Sequence, residues 1–95
     1  MEREGIFELI NQERLRQITL WGTEKELIDS IRGNYGEEAW DFYLHQKAVV
    51  MTEEVGEVAR AILEADSEHL KTELVQVAAV CVAMIEGLRW QTSKP

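Results

Sequence analysis

Apolar positions along this chain recur at three- and four-residue intervals, and no segment alternates apolar and polar residues over six or more positions. That periodicity predicts an all-α fold. A first helix is expected from about Glu4 to Ile18, where Ile6, Phe7, Leu9, Ile10, Leu15 and Ile18 form a stripe opposite Glu8, Gln12, Glu13 and Arg16. Trp21-Gly22 ends it. The stretch from Thr23 to Gly36 reads as a structured loop, with room for a short helix at Glu24 to Ser30 before the turn-forming run Arg32-Gly33-Asn34-Tyr35-Gly36. From Glu37 to about Ala65 the one breaker is Gly56, and Trp40, Tyr43, Leu44, Val50, Met51, Val55, Ile62 and Leu63 keep helical spacing. One long helix of roughly 40 Å is predicted there. Asp66-Ser67 supplies a break and capping oxygens for the amides of a last helix, from about Glu68 to Trp90.

In that last helix Leu74, Val75, Val77 to Ile85 and Leu88 cover nearly the whole circumference, a pattern that demands burial on all sides. Two or three other helices cover one flank and hardly both. A second copy of the chain is the natural cover, so a homodimer or homotetramer is expected, with Val77, Val80, Cys81 and Met84 in the contact. Cys81, the single cysteine, is expected to be a small buried hydrophobe, and its solitude excludes disulfide frameworks and cysteine-based zinc sites.

At 95 residues and 45% hydrophobic positions the chain fits one domain, residues 1–95. Eighteen acidic residues against ten basic ones give a net charge of −8, which argues against a groove for nucleic-acid polymers. The longest apolar run, Val77 to Ile85, is less than half of the roughly 20 residues needed to span a bilayer. No membrane partner is expected. The first twenty residues scatter charges among short apolar pairs, unlike a secretory signal, so a cytoplasmic location is expected.

The acidic residues are not spread evenly. Glu53-Glu54-x-x-Glu57 stands in the long helix and Glu73-Leu74-Val75-Gln76 in the next. Residues three or four apart share a helix face, so Glu54 joins Glu57, Glu53 joins Glu57, and Glu73 joins Gln76. A short connection at Asp66-Ser67 would bring the two faces opposite each other. An acidic face in an acidic protein is ordinarily just solvated. Glu73, however, borders a continuous apolar surface, where an unpaired carboxylate is expensive. A divalent cation would relieve the repulsion, and Mg²⁺ prefers such hard oxygen ligands.

The pattern Glu-Glu-x-x-Glu, about sixteen residues, then Glu-x-x-Asp on the next helix is the signature of the MazG-like all-α nucleoside triphosphate pyrophosphatases. Glu53-Glu54-Val55-Gly56-Glu57 with Glu73-Leu74-Val75-Gln76 resembles it. The likeness is clearest from Trp40 to Leu88, and Gln17 to Gly22 resembles the opening segment of some MazG-like proteins more loosely. Gln76 departs from the pattern, since the family usually has Asp there. Glutamine offers a neutral carbonyl oxygen on a longer arm.

The resemblance implies a MazG-type helical bundle completed by oligomerisation, with Glu54, Glu57 and Glu73 as Mg²⁺ ligands, Mn²⁺ being an alternative ion. Gln76 would be a neutral ligand, and Glu53 would hold a second metal or orient water. The implied reaction is hydrolysis of a nucleoside triphosphate to monophosphate and pyrophosphate. The alternative is a degenerate helical dimer that binds nucleotides or a protein partner without turnover. Lys47, seven before Glu54, and Arg60, three after Glu57, could hold phosphates or form ordinary intrahelical ion pairs. His69, four before Glu73, could donate to a phosphate or stand free in solvent, and His45 is a weaker candidate. Trp21, Trp40 and Tyr35 could stack on a base, with core packing the alternative for Trp40.

Overall fold

Two glycines with positive φ, Gly22 at 85° and Gly36 at 58°, end the first two helices of the chain. The computed structural model describes residues 1–91. They form α1 (Arg3–Trp21), α2 (Glu24–Tyr35), α3 (Ala39–Leu63) and α4 (Ser67–Gly87), with 3-10 turns at Gly36–Glu38 and Leu88–Trp90. Among them no strand occurs, and no helix is long and apolar enough to cross a membrane.

The expected loop at Thr23 to Gly36 is instead a helix of 12 residues. Its start is fixed by a capping box: the Thr23 hydroxyl accepts from the Glu26 amide at 3.2 Å, and the Glu26 carboxylate accepts from the Thr23 amide at 2.9 Å. Burial of Ile28 and Ile31 then carries the helix through Gly33 and Asn34, residues that otherwise favour turns.

The break between α3 and α4 is tight. Ala65 adopts the left-handed conformation at φ 54°, its amide bonds to the Ile62 carbonyl, and the Asp66 amide bonds to the Ala61 carbonyl. This is a Schellman motif with alanine where glycine is usual. Asp66 then caps α4, its Oδ1 accepting from the His69 amide at 3.0 Å.

So connected, α3 and α4 run antiparallel and make the largest helix pair, with α1 along α4 and α2 against α3. Small buried residues, Ala61, Ala79 and Ala83, let the helices approach closely. At the far end the approach is closer still, because a Cβ at Gly87 would collide with the Tyr43 hydroxyl. Ile28, Ile31, Ala39 and Tyr43 form the core at that end, with Leu27, Trp40 and Trp90 packed on it.

One protomer does not bury α4 all round. Leu74, Cys81, Val82, Ile85 and Leu88 are exposed at spacings that place most of them on one stripe, so Cys81 is not the buried hydrophobe expected. Val80, expected in a contact between copies, is buried inside the protomer. The molecule measures 48 × 27 × 23 Å with a radius of gyration of 15.1 Å, against about 12 Å for a compact chain of this length.

Candidate functional site

The antiparallel pairing sets the turns of α3 that carry Glu54 and Glu57 opposite the turns of α4 that carry Glu73 and Gln76. Glu73 is at the centre and only 8% exposed. On one side of it, ligand atoms of Glu57, His69 and Glu73 all lie within 4.8 Å of one another, with His69 Nε2 3.2 Å from Glu73 Oε1. On the other side the Gln76 amide, oriented with its nitrogen toward the carboxylates, donates to Glu54 Oε2 and to Glu73 Oε2, each at 3.0 Å. Partial burial and, next, the Glu73 carboxyl opposite push the Glu54 carboxyl above its ordinary value.

Cations do little to neutralise this group. Arg60 reaches Glu57 at 3.5 Å and Glu64 at 4.0 Å from an exposed position. Arg16 is committed to Glu13 through bonds of 2.7 and 2.8 Å, which hold the Glu13 carboxyl below its usual value. Glu53 is exposed one residue away and faces no converging donors.

The group opens onto a cavity of about 420 Å³ that all four helices line. Glu54 and Gln76 belong to its wall, together with Arg16 and Gln17 of α1 and Lys47 of α3. Leu27, Val50 and Val80 supply apolar surface, and Trp21, 77% exposed, stands at the rim. A cavity of this size is in the range for small-molecule ligands.

The deeper wall holds a second carboxylate cluster, built quite differently. Glu24, 6% exposed, receives Arg14 Nη2 at 3.4 Å, Lys47 Nζ at 3.1 Å and the Tyr43 hydroxyl at 2.5 Å. Arg14, itself 5% exposed, also donates from Nε to Glu86 Oε1 at 2.5 Å. Burial, and then the bond to Glu24, push the Tyr43 phenol far above its ordinary value, so it remains a donor. Every acceptor at Glu24 is met, and the cluster ties all four helices together.

The structure therefore brings Glu54, Glu57, Glu73, Gln76 and His69 together. Lys47 faces the cavity but is held by Glu24, away from the acidic face where spacing alone put it. Trp40 stacks on Tyr43 at 5.2 Å in the core, and Tyr35 stacks on Phe42 at 4.2 Å outside the site. His45 lies apart, its Nδ1 2.7 Å from the Asp41 carbonyl oxygen. Gly56 meets open space, so close helix approach does not account for it. Sequence reading missed Arg14 and Glu24. The signal was Arg14 itself, a charge four residues from both Ile10 and Ile18 on a half-buried face. No family model, curated protein or solved structure matches the chain.

Proposed function

We propose that the protein is a divalent-metal-dependent hydrolase that converts a nucleoside triphosphate to the monophosphate and pyrophosphate, and that it works as a homo-oligomer. The observation that carries this reading is the shared wall: Glu54 and Gln76 belong both to the carboxylate group and to a cavity large enough for a nucleoside. The donor set suits a hard cation, since Glu73 stands between Glu57 on one side and Glu54 on the other with little cationic compensation, and Gln76 would add a carbonyl oxygen if its amide turned over. Bound there, Mg²⁺ or Mn²⁺ supplies charge neutralisation for the phosphates and a water of lowered pKa.

The chain's own groups do the rest. Trp21 offers an indole face to the base at the cavity rim, and the apolar side chains below it exclude water from the nucleoside. Arg16 and Lys47 stand in the same wall, and to hold phosphates they would exchange their present partners, Glu13 and Glu24, for phosphate oxygens. Glu53, exposed beside Glu54 on α3, is the residue we assign to a second metal or to orienting water. Phosphoryl transfer needs positioning and charge neutralisation more than a covalent nucleophile, which suits a site without Ser or Cys.

The exposed stripe on α4 supports oligomerisation. The chain exposes 6832 Å², against roughly 5600 Å² for a monomeric protein of its mass. The excess, on the order of 1000 Å², is comparable to the area each partner buries in a stable interface.

A second reading, a nucleotide-binding protein without turnover, draws on the Gln76 amide, which already bridges two carboxylates without an ion. Pyrophosphate release from a panel of ribo- and deoxynucleoside triphosphates with Mg²⁺ or Mn²⁺ tests the proposal. Release that Glu73→Gln lowers at least a hundredfold is expected. Nucleotide binding without release would favour the second reading.

A further inference from the structure

The resemblance read from sequence points to an all-oxygen site suited to Mg²⁺, but one turn before Glu73 on α4 an imidazole, that of His69, stands 3.2 Å from its carboxylate. We propose that Glu57, His69 and Glu73 form a mixed nitrogen and oxygen site that selects a divalent transition ion, such as Mn²⁺, Co²⁺ or Zn²⁺, over Mg²⁺. The inference rests on the metal-binding part of the reading above and not on hydrolysis.

Three features of the structure carry it. First, the donors come from two helices and converge, all within 4.8 Å. Ligands on one ion at bond lengths of about 2.1 Å stand roughly 3 Å apart when adjacent and about 4.2 Å apart when opposite. The set is thus close to ligating distances before any ion arrives. Second, the two ligands on α4 meet across one helical turn: Asp66 caps the helix at the His69 amide at 3.0 Å, and Glu73, leaning back toward the N-terminus, brings its Oε1 to 3.2 Å from His69 Nε2. Third, Glu73 is buried and shared by His69 on one side and Gln76 on the other, so an ion at the His69 side leaves Glu54 and Gln76 free to face the cavity.

Imidazole nitrogen is a good ligand for Mn²⁺, Co²⁺ and Zn²⁺ and a poor one for Mg²⁺, which keeps oxygen ligands and water. His69 therefore acts as a specificity-determining ligand. It gains nothing for Mg²⁺ and strengthens the hold on the transition ions.

Calorimetric titration of each metal chloride into nucleotide-free protein tests this, using wild type, His69→Ala and, as a control for surface histidine, His45→Ala. Circular dichroism confirms that each variant is folded. His69→Ala is expected to weaken Mn²⁺ and Co²⁺ binding at least about tenfold while changing Mg²⁺ binding less than about threefold. His45→Ala should change neither. Pulsed electron paramagnetic resonance of the Mn²⁺ protein should show nitrogen coupling that His69→Ala removes. Equal losses for Mg²⁺ and Mn²⁺, or no loss, would overturn the inference while leaving an all-oxygen metal site standing. Wild type that binds no divalent ion would overturn both. Selective binding without pyrophosphate release would overturn only the hydrolase reading.

Discussion

The α3 and α4 pair carries a carboxylate cluster toward each end, and the two are solved in opposite ways. Around Glu24 the chain supplies two cations and a phenol, so the buried charge is neutralised by residues already in place. Around Glu73 it supplies an amide and an imidazole, and the nearest arginines are spent elsewhere or exposed. Both are costly to desolvate. A cluster neutralised by its own protein is a structural tie, and the metal site proposed above rests on the other being hydrogen-bonded but short of cations. On the proposed reading, that difference separates the scaffold of this molecule from its site.

Breaking the completed cluster should have the largest effect on stability. Arg14→Ala leaves Glu24 and Glu86 without their buried partner and is expected to cost about 3–5 kcal/mol in chemical denaturation. Should Glu73→Gln cost as much, the two clusters are alike and the distinction fails. Next in size, Gly87→Ala forces a methyl group into the Tyr43 hydroxyl and with it the Glu24 cluster, a loss of about 1–3 kcal/mol by the same measurement.

At the other end the expected changes are gains. Ala65→Gly removes the penalty of a left-handed alanine at φ 54° and should add about 0.5–1 kcal/mol without altering metal binding, which shows whether the acidic end is limited by its connection or by its charges. Smallest is the effect of Glu54→Gln. Because the Glu54 carboxyl lies above its ordinary value in the fold, the folded protein holds that proton more readily than the unfolded chain. Its ionised form is thus a liability at neutral pH that is relieved as pH falls through the raised value. The variant should exceed ion-free wild type by a few tenths of a kcal/mol at pH 7, the margin closing below about pH 4. A margin that grows on acidification would contradict the sign.

Much of the fold was legible because helical spacing and caps are local. Trp21-Gly22 and Asp66-Ser67 mark real helix boundaries, and α3 and α4 lie close to where their periodicity places them. The helix at Glu24–Tyr35 was obscured because Gly33 and Asn34 suggest a turn, while the burial that overrides them is tertiary. At the candidate site, spacing put Glu54 with Glu57 and Glu73 with Gln76, since residues three or four apart share a face, and the fold sets Glu57 on one side of Glu73 and Glu54 on the other. Lys47 and Glu24 could not be paired that way. They meet across two helices at 3.1 Å, and only the packing of α2 on α3 brings them into contact. Likewise the last helix looks uniformly apolar in sequence, and only the fold shows that Val80 turns inward while Val82 and Ile85 turn out.

Thermal unfolding of chelator-treated wild type and Glu73→Gln, each with and without Mn²⁺, tests the central claim most directly. Without the ion Glu73→Gln should melt at or slightly above wild type, because a buried, poorly compensated charge has been removed. With Mn²⁺ at about 100 times its dissociation constant, wild type alone should gain about 2.7 kcal/mol, reversing the order. Wild type indifferent to Mn²⁺, or a variant several kcal/mol less stable than wild type without the ion, would show that the Glu73 cluster is complete in itself and is no site.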